Sequence, residues 1–171
     1  MNALPQPGAA STLAPMRLDE VDEVMAVERS VYSYPWTRGN VVDSLVAGHL
    51  AEVLRSVEGE LLGYFIAMPG ADEMHLLNLV VAPAHQRRGH ARHMLDALVH
   101  HARERGVRTL WLEVRDSNVR AQSLYRRYGF VAVGRRRGYY PAAAGRREDA
   151  VLMSLSLDTA GTGRGAPDAN D

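Results

Sequence analysis

The chain has 171 residues, 46% hydrophobic and 23% charged, which is material for one globular domain with a real core and excludes a second domain or a disordered polymer. It contains no cysteine, which excludes disulfide frameworks, thiolate metal sites and a covalent thiol nucleophile. The net charge is zero but unevenly spread: residues 1–86 hold 4 Arg against 11 acids, residues 87–147 hold 15 against 4, and residues 148–171 hold 1 against 5. A basic block of this kind fits a nucleic-acid surface, a polyphosphate pocket or a solvated helix face, and composition does not separate them. No run approaches the ~18 apolar residues of a membrane span, and the start of the chain lacks a signal peptide's basic and apolar segments. The expectation is a cytoplasmic protein with no membrane contact.

Residues 1–14 are rich in Ala, Pro and small side chains, and residues 158–171 in Gly and acids, so both read as disordered tails around one domain at 15–157. From Asp19 onward, Val21, Val24, Met25, Val27 and Glu28 follow helical spacing. Thr37 is placed to cap a second helix running to about Ala47, with Gly48 past its end. Leu50 to Val57 and Glu60 to Met68 are β-like runs around Glu58-Gly59, and a turn at 69–72 leads into a third, Glu73 to Val81. These predict an antiparallel meander. Its last part, Leu77-Asn78-Leu79-Val80-Val81, is almost wholly apolar, as expected of a central strand buried on both faces.

Gln86-Arg87-Arg88-Gly89-His90-Ala91 then opens a helix to about Arg105, with Ala91, Leu95, Leu98 and Ala102 as its apolar stripe. Strand, glycine turn and helix form a phosphate-binding arrangement, because free N–H groups and the positive end of the helix dipole attract anions. The plain alternative is a glycine that serves only chain geometry. Thr109 to Arg115 reads as a strand with Leu110, Leu112 and Val114 on one face and Trp111 and Glu113 on the other. Glu113 is either an edge-strand glutamate facing solvent or a partly desolvated carboxylate with a raised pKa, suited to general base work. Asn118 starts a further helix whose inner face carries Ala121, Leu124, Tyr125 and Tyr128 and which ends at Gly129. Tyr125 is either plain core or, if near Glu113, a candidate acid.

The order of these pieces resembles the Gcn5-related N-acetyltransferase (GNAT) superfamily. The family's coenzyme pattern (Gln or Arg, two residues, Gly, one residue, Gly or Ala) is matched by Gln86, Gly89 and Ala91 after an apolar strand and Pro83. Within the superfamily the chain is most similar to the RimI-like ribosomal-protein alanine N-acetyltransferases. Tyr34-Pro35-Trp36, Leu110 to Arg115 with Ser117-Asn118, Leu124-Tyr125 with Gly129-Phe130, and Gly138 to Pro141 followed by Arg147 to Ala150 carry this likeness.

The resemblance implies an α/β fold with a mixed, mostly antiparallel sheet of six to seven strands. About four helices flank it, and the sheet is splayed at an acetyl-CoA site. It implies that Leu79, Val80 and Val81 hold the pantetheine arm, that Arg87, Arg88, Gly89, His90, Ala91 and Arg92 cradle the pyrophosphate, and that Asn118 touches the coenzyme. It implies Glu113 as proton acceptor, Tyr125 as proton donor, and acetyl-CoA as co-substrate. The implied protein partner is the N-terminus of protein eighteen of the small ribosomal subunit, acetylated on its alanine by a monomeric enzyme that does not itself bind nucleic acid. Tyr34, Trp36, Tyr139 and Tyr140 would flank the peptide slot, unless they serve hinge packing, and Asn78 is a further candidate peptide contact. An α-amine, with a pKa of about 7.7–8.0, is roughly a tenth to a fifth neutral at pH 7, whereas lysine is neutral less than about one time in a thousand. An N-terminal acceptor is therefore the easier nucleophile. A lysine, polyamine or small-molecule acceptor remains open on the same fold, as does a non-catalytic module that binds coenzyme A or RNA. Arg135-Arg136-Arg137 fits an RNA neighbour or simple solvation. No histidine pair has the i, i+4 spacing of a helical zinc site, so no metal is expected.

Overall fold

The computed structural model describes residues 10–158. Strand β1 (Thr12–Pro15) is followed by a 3₁₀ turn at Leu18–Glu20, α1 (Val21–Val31) and α2 (Arg38–Val46). Next come β2 (Leu50–Arg55), β3 (Leu61–Pro69), β4 (Glu73–Val81), α3 (His90–Glu104) and β5 (Thr109–Arg115). Helix α4 (Val119–Tyr128), β6 (Val131–Pro141) and β7 (Arg147–Ser156) complete the domain.

The strands form one seven-stranded sheet in the order β1-β2-β3-β4-β5-β7-β6. Every neighbouring pair is antiparallel except β4 and β5, which run parallel. The expected α/β fold with a mostly antiparallel sheet and four helices is observed. Two cores sandwich the sheet. Val21, Val24 and Met25 of α1 and Val41 of α2 pack on Val53, Tyr64 and Ile66. On the other face Leu95, Leu98 and Ala102 of α3 join Tyr125, Phe130 and the inward side chains Leu110, Leu112 and Val114 of β5.

Periodicity located most elements to within a residue or two, and the differences have physical causes. The first helix starts at Val21 rather than Asp19, because Glu20 turns back to accept the Arg17 N–H (2.8 Å) and closes a 3₁₀ turn first. The loose N-terminal segment expected through residue 14 is corrected at its end: Thr12–Pro15 pairs with β2, from Thr12↔Arg55 to Pro15↔Glu52. An edge strand tolerates Pro15 because its missing N–H faces no neighbour. Residues 1–9 of that expected tail, and 159–171 of the C-terminal one, lie outside the described residues, while Asp158 is paired with Arg108 (3.1 Å).

Thr37 caps α2 as expected: its Oγ1 accepts the Asn40 N–H (3.1 Å) while Asn40 Oδ1 accepts the Thr37 N–H (2.9 Å). Replacing Thr37 with Ala should lower the unfolding free energy by about 1 kcal/mol in urea titration, with an unchanged m-value.

The central strand runs from Glu73 to Val81 as expected, but with an irregularity that the apolar run did not announce. Ile66 faces Asn78 and Ala67 faces Leu76, so Leu77 is an extra residue in β4, a β-bulge. A bulge shifts the alternation by one, turning later side chains to the opposite face. Met74 and Leu76 face the α3 side, whereas Asn78 and Val80 belong to the α1 side. The bulge also marks where β4 leaves β5, whose pairing runs only from Glu73↔Thr109 to Leu76↔Leu112.

Candidate active site

Beyond Leu76 and Leu112 the two parallel strands diverge, and the gap opens a cleft of about 1300 Å³. Its walls come from β4, β5, α1, the segment between α1 and α2, the start of α3, α4 and the end of β6.

On one side Leu79, Val80 and Val81 line the cleft while pairing with β3 on their other flank, which leaves the β5-facing edge free for a strand-like ligand. Gln86 ties this wall together, donating from Nε2 to the Val81 carbonyl (3.1 Å) and accepting from Arg120 (2.9 Å). Arg87 (φ +62°) and Gly89 (φ +84°) both adopt left-handed backbone before α3, so the chain curls around its own N–H groups at the helix start. A Cβ on Gly89 would meet nothing within 4 Å, so the space above it is open to a ligand, and the φ angle is what calls for glycine. His90 and Ala91 join this cradle, whereas Arg88 and Arg92, expected in it, do not line the cleft. Asn118 lines it too, but its Oδ1 is engaged in capping α4 through the Ala121 N–H (3.1 Å). A strand-like edge beside an anion cradle at a 15-residue helix fits a pantetheine arm and its pyrophosphate.

Glu113 points into the cleft from β5 with its side chain only 9% exposed. Its two oxygens are divided: Oε2 contacts His75 Nε2, and Oε1 contacts Arg136 Nε at 3.1 Å. Burial works to raise its pKa, but the His75 hydrogen bond and the charges of His75 and Arg136 outweigh it, holding the carboxyl below its usual range. Both expectations for Glu113 are corrected: it is not a solvent-facing edge residue, and its pKa is lowered rather than raised. This dyad with His75, 38 residues away, was not visible in the sequence.

Tyr125 is buried on α4, packed edge-on against Phe130 at 5.6 Å, and reaches the cleft. Burial first, and then Tyr32 and Tyr140 nearby, push its hydroxyl above the phenol range, so it carries its proton in the resting site. The structure thus places Glu113 and Tyr125 in one cleft.

The opposite mouth is built on Arg115. Its guanidinium lies 5.2 Å from the Tyr34 ring and 4.5 Å from the Tyr140 ring, and it donates to Glu148 (2.6 Å) and the Pro141 carbonyl (2.8 Å). Tyr34 and Tyr140 line the cleft; Tyr139 does not, and it lies exposed beside Arg136 with its ring edge-on to Tyr140 at 4.9 Å. Trp36 lines the cleft and also packs against the α1-side core. Of the arginine run, Arg135 pairs with Asp116 (2.9 Å) and Arg136 with Glu113, so at least these two are tied into the fold.

One residue of this wall escaped sequence reading as chemistry. Glu28 is 1% exposed at the end of α1 and lines the cleft. It accepts the Trp36 N–H (2.8 Å), the Asn78 amide (3.1 Å) and the Tyr64 hydroxyl. Tyr32, beside it, is raised to about 12 by burial and then by the Glu28 charge, against the opposing pull of Arg115.

A parallel strand pair that splays over an anion cradle, with a carboxylate and a phenol facing the gap, defines an acyl-transfer enzyme built around a coenzyme thioester. The chain belongs to the acetyltransferase (GNAT) family, whose model matches residues 21–130. It is an acetyltransferase that uses acetyl-CoA. It is 36% identical over 138 residues to the ribosomal protein bS18-alanine N-acetyltransferase of Haemophilus ducreyi, covering 81% of this chain and 94% of that protein. To the protein of the same name from Escherichia coli it is 33% identical over 147 residues, covering 86% and 98%. The crystal structure of the ribosomal-protein-S18-alanine N-acetyltransferase from Escherichia coli is similar to it with a TM-score of 0.81 at 33% identity, covering 90% of this chain and 98% of that one. No helix among the described residues is long and apolar enough to cross a membrane.

Proposed function

We propose that the chain acetylates the α-amine of the N-terminal alanine of ribosomal protein bS18 in its host, with Glu113 as proton acceptor and Tyr125 as proton donor. The observation that carries the substrate is identity of 33–36% over nearly the full length of relatives named for that reaction. The reading places the enzyme in the cytoplasm, acting within a single domain that includes strand β1 from Thr12.

Acetyl-CoA supplies an activated acetyl carbonyl and a thiolate leaving group. The α3 cradle of Arg87, Gly89, His90 and Ala91 holds the phosphates, and the free edge of Leu79 to Val81 holds the arm by strand-like hydrogen bonds. An N–H on that edge polarises the carbonyl that the amine attacks. Glu113, ionised at neutral pH, takes the proton the amine loses, directly or through a water, and His75 and Arg136 hold its carboxylate in place. Tyr125, protonated in the resting site, hydrogen-bonds the departing sulfur and gives it a proton. The proton taken by Glu113 then returns through solvent to restore the phenol. No residue is acylated, consistent with a chain that has no cysteine.

The test is single-turnover mass spectrometry with purified protein, acetyl-CoA and a peptide carrying the N-terminal sequence of the host's bS18. One acetyl group on the α-amine, absent with an N-blocked peptide, is the expected result. Acetylation of a lysine side chain instead, or coenzyme binding with no transfer, overturns the substrate assignment.

A further inference from the structure

We propose that Glu28 is a positioning residue for the acceptor: it fixes the Asn78 amide so that Asn78 Oδ1 faces the cleft and receives an N–H of the substrate's first residue. This rests on the proposed function for the identity of the substrate, but the orientation itself does not.

The argument starts from which groups can donate. Glu28, Tyr64 and Asn78 are all buried, at 1%, 0% and 8% exposure. Three donors converge on Glu28, from the Trp36 backbone, the Tyr64 hydroxyl and Asn78 Nδ2. A carboxylate serving three donors only accepts, so the NH₂ end of the Asn78 amide must be the end that faces it. Tyr64 Oη, 3.3 Å from Asn78 Nδ2, reinforces the same choice. The amide orientation of an asparagine is otherwise ambiguous, and here its neighbours decide it. Oδ1 is left as the other end, with no hydrogen-bond partner among the described residues, on a residue that lines the cleft. The bulge at Leu77 puts Asn78 on this face; in a regular strand it would point toward α3.

A neutral amide oxygen suits an attacking amine. A carboxylate in direct contact would favour the ammonium form, which has no lone pair to attack with. An amide oxygen takes an N–H and orients the lone pair without stabilising the charged form to the same extent. Glu28 thereby sets the polarity of the site from one residue's distance.

Glu28→Gln separates this role from loop anchoring. The glutamine has one acceptor oxygen, which the Trp36 N–H still occupies, and its NH₂ then faces Asn78 and favours the flipped amide, with a donor presented to the substrate. The KM for the bS18 peptide should rise about tenfold, the worth of one polar contact, while the KM for acetyl-CoA stays the same. Asn78→Ala should raise it similarly, and the double variant should be no worse than Asn78→Ala alone, because Glu28 acts through Asn78. Additive effects, or equal changes in both KM values, overturn the proposal. A second readout needs no substrate: the Asn78 side-chain NH₂ protons should exchange slowly by NMR in the wild type and quickly in Glu28→Gln. Equal exchange rates overturn the orientation. Slow wild-type exchange with no peptide acetylation leaves the orientation standing and overturns the bS18 assignment alone.

Discussion

Glu113→Gln should lower kcat for peptide acetylation by at least about 10²-fold, within the 10²–10⁴ range of a lost proton acceptor, while the Kd for acetyl-CoA is unchanged. Stopped-flow or coupled-thiol assays give the first number and calorimetry the second. The pH profile carries a sharper expectation. Because His75 and Arg136 outweigh burial and hold Glu113 below the usual carboxylate range, it is already ionised at neutral pH and does not set the rising limb. That limb should follow the substrate amine, with an apparent pKa of about 8, in the wild type and in the variant alike. A wild-type limb that moved with Glu113 instead would contradict the role of the dyad. The same lowered pKa bears on folding. A carboxyl depressed in the folded state contributes stability at neutral pH that is lost as the pH falls through its lowered value.

Tyr125→Phe should also cost about 10²-fold in kcat, with little change in thermal stability. The hydroxyl makes no hydrogen bond among the described residues, and the ring's packing on Phe130 survives the substitution. The loss should be smaller with a thioester whose leaving group is more acidic, since a weaker base needs less help from the phenol. A loss independent of the leaving group would place Tyr125 in packing rather than in proton transfer. Removing Phe130 behaves differently: it is a core residue, and its truncation acts on stability first.

Much of this was legible in the sequence because it is local. The 3.6-residue stripe of α3, the two-residue alternation of β5 and the cap at Thr37 each arise from neighbours along the chain. Gln86, Gly89 and Ala91 are likewise a local pattern. What escaped depends on contacts across strands. His75 meets Glu113 only because β4 and β5 are parallel neighbours there, and nothing near either residue announces it. Glu28 sits on the buried stripe of α1 and looks like a tolerated charge until Asn78 and Tyr64 arrive from other elements. The bulge at Leu77 is invisible in a run of apolar residues, because one extended residue more or less leaves no mark on composition. Arg136 read as part of a run that fitted an RNA neighbour or simple solvation, yet the strand's alternation turns it toward Glu113.

The position of β7 between β5 and β6 has a consequence for how the protein is made. Synthesis runs from the N-terminus, so β1 to β5 can pair as they emerge, but the outer edge of β5 gains its partner only when residues 147–156 are available. Until then the strand that carries Glu113 is an open edge, and β6 has nothing to pair with. Closing it joins segments about forty residues apart, the kind of long-range step that is slow and exposes the chain to wrong partners. A chain interrupted before Arg147 would therefore present two sticky edges and an unfinished cleft, and activity should arrive in a single late event as the last strand slides home.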